Sequence, residues 1–347
     1  MKKVLIRAYA ERNLGDDMFI TYLCGRYPSV CFYILCKDQF KTALERISNL
    51  EISTNTENLL QIRFDLQIII GGSIFMQSVS KSILEKYISD KEMLLQGIPT
   101  YIIGPNFGPY KSKIFFLLYK RLFKRVDDIV FRDEYSYNLF HLNNTGWAPD
   151  IVFNFPLPLC NSRKVVTISC IKKNRRSGLT DYDEDLYLHK LADIAEEYTK
   201  HGFSIVLAAF SKVQEDDIAA ELIYNMLSTR ARSMTKVIVY QGDINAFLKE
   251  FLSTSYIIGT RFHSVILGWS AGIPTFPICY NDKLAHAIVS YGYKGSFAYI
   301  NKMEEVIFSH VELNRKKDND INNQTLKAQA IKHFLSLDKM LMEEHNE

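Results

Sequence analysis

The chain has 347 residues, which is enough for two domains that each bury a core. Hydrophobic residues make up 47% and charged residues 23%, ordinary globular values that exclude a disordered chain. The formal net charge of +3 is close to neutral, so nucleic acid is not expected as a partner.

Short apolar runs alternate with longer amphipathic segments in the first part of the chain. The apolar runs predict strands at 4–6, 32–36, 66–70, 100–103 and 128–131. The segments between them, such as 16–27 and 81–96, predict helices. This alternation is typical of βαβ units in a doubly wound parallel sheet.

Prolines then interrupt the pattern, because proline disfavours both helices and central strands. We predict a first domain at 1–155 and a linker at 156–164. The alternation restarts with strands at 165–170, 203–208, 236–240, 256–258 and 275–278, separated by helices at 185–201, 216–227, 244–252 and 263–271. A second α/β domain is therefore predicted at 165–312, with a cleft between the two domains. The remaining polar and then helical segment, 313–347, is either a loose terminus or a helix packed on the first domain.

The six cysteines form no Cys-x-x-Cys pair and lie near no histidine cluster, so no metal site is predicted. Most lie in apolar runs and are expected to be buried in a reducing compartment. The N-terminal apolar run is broken at Arg7, without a cleavage-site pattern, and no apolar stretch is long enough to cross a membrane. We expect a cytoplasmic protein, with peripheral attachment to the inner face of the membrane as an alternative.

Loops after predicted strands are the candidate sites, because ligands bind beyond the carboxyl ends of strands in open α/β sheets. The first loop carries Asn13, Gly15 and Asp16. A capped turn explains this pattern on its own, and binding of sugar hydroxyls by Asn13 and Asp16 is the alternative. The paired glycines in Gly71-Gly72-Ser73 would let a ligand or another backbone approach closely.

The loop after the fourth strand, 104–109, contains two Gly-Pro pairs and Asn106, and is predicted to be stiff. Neither glycine-rich loop of this domain matches the dinucleotide-binding pattern or a P-loop.

The most informative stretch follows the strand at 256–258 and spans Gly259 to Ser264. Arg261 offers a planar guanidinium for a carboxylate or phosphate, and His263 can exchange protons near neutral pH. A surface arginine with a helix-capping histidine is an equally good explanation of these residues alone. A basic run at 172–176 follows the first strand of this domain, where it is either a solvated face or part of an anion site.

Together these motifs resemble the polysaccharide pyruvyl transferase family. No single motif is specific, but the ordered set is, and it runs from near residue 10 to near residue 295. The matching pieces are Asn13-Leu14-Gly15-Asp16, Gly71-Gly72-Ser73, Gly104-Pro105, Phe131-Arg132-Asp133-Glu134-Tyr135-Ser136, Ala148-Pro149-Asp150, Gly259-Thr260-Arg261-Phe262-His263-Ser264, Gly272-Ile273-Pro274 and Tyr280-Asn281-Asp282-Lys283.

The resemblance implies a GT-B-like fold, with two facing Rossmann-like domains and mostly parallel sheets. It implies an acceptor side in the N-terminal domain and a donor side in the C-terminal domain. The donor would be phosphoenolpyruvate and the acceptor a hydroxyl pair on galactose or a hexosamine. The products would be a cyclic pyruvate ketal and phosphate, formed without a metal or other cofactor.

The resemblance also implies roles for individual residues. His263 is the candidate acid or base, with Arg261 and Asp16 also in the catalytic set. The predicted donor contacts are Arg261, His263, Ser264, Gly259 and a basic residue of the 172–176 run, either Lys172 or Arg175. The predicted acceptor contacts are Asn13, Asp16, Gly72, Asn106 and Asp150.

The segment from Lys111 to Arg125 has six basic residues and no acidic one. In a helix, Phe115, Leu118 and Leu122 would share one face, with lysines on another. A helix packed on the sheet, with its lysines in water, is the favoured interpretation. The alternative is a peripheral membrane contact with anionic lipid, which would suit an acceptor carried on polyprenyl diphosphate.

Two other functions fit the same pattern. One is a nucleotide-sugar glycosyltransferase of GT-B or sialyltransferase-like fold, which would use similar basic residues. The other is a non-catalytic binder of anionic sugars, although binding alone does not require a histidine that titrates near neutral pH.

Overall fold

The computed structural model describes residues 1–78, 80–173, 181–316 and 321–342. The chain divides into two compact units. The first comprises residues 1–11, 16–154 and the segment from Lys327 onward, and the second comprises residues 12–15 and 155–326. The C-terminal segment therefore packs with the first unit.

The first unit is built on a parallel sheet of seven strands among its described residues. They are β1 (Lys3–Arg7), β2 (Cys31–Leu35), β3 (Leu50–Ser53), β4 (Leu66–Ile70), β5 (Thr100–Ile103), β6 (Asp128–Phe131) and β7 (Thr145–Trp147). Their spatial order is β3-β2-β1-β4-β5-β6-β7. The chain adds β2 and β3 on one side of β1 and then β4 to β7 on its other side, so the strand order switches between β1 and β4. Ligands bind at such a switch point in doubly wound sheets.

The second unit repeats this topology with six strands among its described residues. They are β8 (Val165–Ser169), β9 (Ser204–Ala209), β10 (Thr235–Val239), β11 (Tyr256–Gly259), β12 (Thr275–Cys279) and β13 (Ala298–Tyr299). The order β10-β9-β8-β11-β12-β13 is again parallel throughout and places its switch point between β8 and β11. Both units are Rossmann-like, as predicted.

Helices connect successive strands in both units. In the first part of the chain they are α1 (Leu14–Arg26), α2 (Thr56–Leu60), α3 (Ile83–Leu94), α4 (Lys113–Phe123) and α5 (Glu134–Phe140). Those that follow are α6 (Glu184–Lys200), α7 (Asp216–Met226), α8 (Thr229–Ser233), α9 (Ile244–Leu252), α10 (Phe262–Ser270), α11 (Asp282–Ser290), α12 (Phe308–Lys316), α13 (Asn323–Ala330) and α14 (Leu335–Met342). No helix among the described residues is long and apolar enough to span a bilayer.

The two cores follow from the composition of the central strands. Every residue of β4 is buried, as expected for a strand covered by helices on both faces. Beside this sheet an aromatic cluster centres on Phe107, whose ring lies 4.8 Å from that of Phe140. In the second unit Trp269 is fully buried, with its ring 4.9 Å from that of Tyr293.

All ten predicted strands are present, and three more appear at sheet edges. The additional strands are β3, β7 and β13, which have four, three and two residues. Edge strands pair on one side only and are partly exposed, so they lack the continuous apolar run that predicts a central strand.

The C-terminal segment is held on the first unit by partly and fully buried polar contacts. Arg26 donates from Nε to Asp338 Oδ1 at 3.0 Å, and Tyr27 Oη donates to the same oxygen at 2.8 Å. The imidazole of His333 is 1% exposed and donates from Nε2 to the carbonyl of Pro149 at 2.9 Å. Burial lowers the pKa of His333 to about 4, although the Asp150 carboxylate partly opposes this effect.

The first unit should therefore lose stability in mild acid. The unfolded chain takes up a proton at His333 near pH 6.5, whereas the folded chain resists protonation until about pH 4. We expect the free energy of unfolding to fall by up to about 3 kcal/mol between these pH values because of this one group. His333→Gln, which keeps an N–H donor, should flatten this part of the pH profile in urea unfolding measured from pH 7.5 to 4. An unchanged slope would show that His333 is not the responsible group.

Candidate functional site

The turn between β11 and α10 is fixed by a chain of buried hydroxyls. Ser169, at the end of β8, accepts at Oγ from the backbone N–H of Thr260 at 3.1 Å and of Arg261 at 3.2 Å. It donates to Ser264 Oγ at 2.6 Å, which in turn donates to the carbonyl of Arg261 at 2.6 Å. The buried hydroxyl of Ser264 thus holds the turn, and its contact with the donor stays a prediction.

Gly259 and Thr260 complete this packing. A Cβ on Gly259 would lie 2.7 Å from Val265 Cγ2 and 2.8 Å from Ser264 Oγ, so glycine allows α10 to start directly against the strand. Thr260 Oγ1 accepts from Tyr187 Oη at 2.9 Å. The turn is therefore rigid, and it presents Arg261 and His263 at the N-terminus of α10.

Arg261 is anchored by a carboxylate at the start of α7, the helix that follows β9. Its Nε donates to Asp216 Oδ2 at 2.8 Å, its Nη2 donates to Asp216 Oδ1, and its Nη1 donates to Gln214 Oε1. Asp216 is fully buried, and its Oδ2 also accepts from the backbone N–H groups of Phe210 and Ser211. Both partners of this bidentate pair are held in fixed positions.

The pair also fixes the charge of the arginine. Burial alone would lower the pKa of the Arg261 guanidinium, but the Asp216 carboxylate outweighs this effect and the net pKa is raised. A cation locked in this way stays charged at every physiological pH, and its planar group is oriented before any ligand arrives.

His263 packs against the segment 12–15, which belongs to the second unit. A Cβ placed on Gly15 would lie only 1.8 Å from His263 Nδ1. Only glycine at position 15 accommodates this imidazole without a shift. Asn13 Oδ1 accepts from the N–H of Gly15 at 3.1 Å, and the N–H of Leu14 donates to the carbonyl of Phe210 at 3.3 Å. Asn13 therefore orders the segment that supports His263.

Further cations lie on loops that follow neighbouring strands. Lys172, after β8, pairs with Glu184 at 2.5 Å. Lys283 follows β12, and its Nζ lies 5.8 Å from the centre of the Phe262 ring at the start of α10. Arg175, the other predicted donor contact of this region, lies outside the described residues. The carboxyl edge formed by β9, β8, β11 and β12 therefore carries Arg261, Lys172 and Lys283, of which Arg261 and Lys172 are paired with carboxylates.

In the first unit, one buried arginine ties together the loops that follow four strands. Arg132, 2% exposed, donates from Nη2 to Asn106 Oδ1 at 2.7 Å and from Nη1 to Asp150 Oδ2 at 3.3 Å. A Cβ on Gly72 would lie 2.4 Å from Arg132 Nη2, so the guanidinium occupies the space that this glycine leaves. Gly72, Asn106 and Asp150 all lie against Arg132. Their binding of the acceptor stays a prediction.

Asp16 lies at the switch point of the first sheet. Its Oδ1 would be 3.7 Å from a Cβ on Gly71, so the carboxylate of the loop after β1 is close to the glycines after β4. Asp16 is partly exposed, unlike Asp150. It is the better placed of the two carboxylates to reach a ligand.

No group of three or more His, Cys, Asp or Glu residues in the described part of the chain could hold a metal ion.

Sequence reasoning missed three contributors to the site: Asp216, Gln214 and Lys283. Asp216 entered only as the start of a helix, and Gln214 carried no signal. Lys283 belongs to a motif that was recognised but given no role, and its position after β12 could have assigned it to the same sheet edge.

Several solved structures are similar in fold. Anabaena Alr3699/HepE, solved in complex with UDP-glucose, superposes with a TM-score of 0.60 at 11% identity, covering 98% of each chain. Methanocaldococcus jannaschii UDP-GlcNAc 2-epimerase gives a TM-score of 0.57 at 11% identity, covering 97% of this chain and 100% of that one. Neisseria meningitidis UDP-GlcNAc 2-epimerase gives 0.57 at 11% identity, with coverage of 98% and 100%. At these identities the likeness establishes the GT-B-like fold alone.

The two Rossmann-like units thus define a GT-B-like α/β protein. The chain belongs to the polysaccharide pyruvyl transferase family, whose profile matches residues 13–282, more than half of the chain. It is therefore a transferase, as the ordered motifs predicted. No curated protein matches the sequence significantly.

Breaking the Arg261–Asp216 pair should destabilise the second unit. Asp216→Asn leaves a buried guanidinium without its counter-charge, and we expect a loss of about 3–5 kcal/mol in the free energy of unfolding. Urea unfolding followed by Trp269 fluorescence in a Trp147→Phe background reports this unit, because the chain has two tryptophans.

The matched control is Glu250→Gln, which breaks the half-exposed pair with Lys236. It should cost less than about 1 kcal/mol. Equal losses in the free energy of unfolding would show that the buried pair stabilises the protein no more than the exposed pair does.

Proposed function

We propose that the protein transfers the pyruvyl group of phosphoenolpyruvate to two hydroxyls of a hexose in a polysaccharide precursor. The product is a cyclic pyruvate ketal, and phosphate is released. The observation that carries this proposal is the pre-oriented Arg261 beside His263 at the N-terminus of α10, inside the segment that matches the family.

The basic residues at the carboxyl edge of the second unit's sheet suit this donor. Phosphoenolpyruvate carries a carboxylate and a phosphate, and each needs a counter-charge or amide donors. Arg261 presents a planar guanidinium, Lys172 and Lys283 supply further positive charge, and the N-terminus of α10 adds backbone N–H groups. These groups also stabilise the negative charge that leaves with phosphate.

The proposed chemistry begins with protonation of the donor methylene, which becomes a methyl group and leaves an oxocarbenium-like carbon. One sugar hydroxyl attacks this carbon, the C–O bond to phosphate breaks, and the second hydroxyl closes the ketal. Of the two hydroxyl protons, one balances the proton gained by the methyl group and the other leaves with phosphate. His263 is the proposed acid or base for these transfers.

Asp16 is the proposed residue that orients or deprotonates the acceptor. Its carboxylate is partly exposed at the switch point of the first sheet, beside Gly71. The acceptor is a galactose-like sugar or a hexosamine, and we include polyprenyl-diphosphate-linked forms among the candidates.

The decisive assay mixes the purified protein with phosphoenolpyruvate and a panel of aryl and polyprenyl-linked hexosides, with phosphate release and product mass followed together. We expect phosphate release matched by a pyruvylated glycoside, retained in EDTA and lost in His263→Ala. Transfer from UDP-glucose instead, a ligand named for the Anabaena protein, would favour a glycosyltransferase. Ligand binding without phosphate release would favour a non-catalytic binder.

Gly15→Ala should lower turnover by roughly 100-fold, since displacement of a reacting group by about 1 Å has effects of this size. The added methyl would overlap the imidazole of His263. The matched control is Gly25→Ala in the same helix, where a Cβ meets no atom within 4 Å. We expect this control to retain full activity, and equal loss in both variants would contradict the proposed role of Gly15.

A further inference from the structure

The outward side of α4 combines exposed apolar residues with positive charge. The inward side packs as predicted, with Phe115 and Leu122 fully buried and Leu118 partly buried. On the outward side, Ile114 is 64% and Leu117 is 61% exposed.

Basic residues surround these two side chains. Helical spacing places Lys113, Arg121 and Lys124 on the same side of α4 as Ile114 and Leu117, and all three are exposed. We call these five residues the basic face of α4. The segment from 111 to 125 contains no acidic residue that could neutralise it.

The adjoining helix adds further apolar exposure. On α3, Leu84 is 60% and Ile88 is 44% exposed. The two helices are joined by a hydrogen bond from Tyr119 Oη to Asp90 Oδ2 at 2.5 Å. Glu85 and Glu92 of α3 are exposed as well, so the net positive charge is confined to α4. Exposed apolar side chains on two packed helices, beside the lysines and arginines of α4, are characteristic of an interaction surface.

We propose that the basic face of α4 binds the surface of an anionic phospholipid bilayer. Ile114 and Leu117 enter the boundary between headgroups and acyl chains, while the basic side chains meet the lipid phosphates. A second copy of the chain is a poorer occupant, because a two-fold contact would bring this positive face against itself. This inference does not depend on the proposed reaction.

The test is flotation of the full-length protein with vesicles of phosphatidylcholine, with or without about 30% phosphatidylglycerol, at about 0.05 M salt. We expect binding to the anionic vesicles only. Arg121→Gln with Lys124→Gln should weaken it by roughly 25-fold, from about fivefold per charge. Ile114→Ser with Leu117→Ser should weaken it by at least about tenfold.

Two controls match these changes at other sites. Lys236→Gln with Lys302→Gln removes two positive charges from the second unit, and Leu60→Ser changes a 76% exposed leucine on α2. Both should bind like the wild type. Absence of wild-type binding, equal loss in the charge control, or full binding by the Ile114 and Leu117 variant would each overturn the proposal.

Discussion

The ion pair between Arg261 and Asp216 is the interaction on which the second unit's candidate site depends. Arg261 lies between β11 and α10, and Asp216 is the first residue of α7, the helix that follows β9. Parallel strands end at one sheet edge, so residues 45 positions apart in sequence can meet there. A buried carboxylate that keeps an arginine charged and immobile prepares a site for anions without the cost of ordering a flexible side chain.

Arg132 has a corresponding place in the first unit, but a different consequence. Its guanidinium lies inside the protein, where it contacts Asn106 and Asp150 and fills the space above Gly72. It therefore holds loops in place, whereas Arg261 keeps a partly exposed position at a helix terminus. An arginine thus stabilises loops at the sheet edge of the first unit, whereas at the sheet edge of the second unit we propose that an arginine binds the ligand.

The sequence was most informative where local chemistry is distinctive. Continuous apolar runs identified the central strands, and Gly259, Arg261 and His263 marked the turn after β11 as a candidate site without knowledge of their partners. The edge strands were missed because short, half-exposed pairing leaves little apolar signal. Asp216 and the packing of Arg132 on Gly72 could not be predicted, because each depends on contacts that only the folded topology creates.

The division of the chain between the two units has a consequence for its synthesis and dissection. The backbone passes from one unit to the other at residues 11/12, 15/16, 154/155 and 326/327. A fragment cut near residue 155 would lack the segment from Lys327 onward, and the remaining fragment would lack residues 12–15 with their support for His263. His333 and Asp338 are synthesised after residues 155–326, so their contacts with the first unit form only after the second unit has been made.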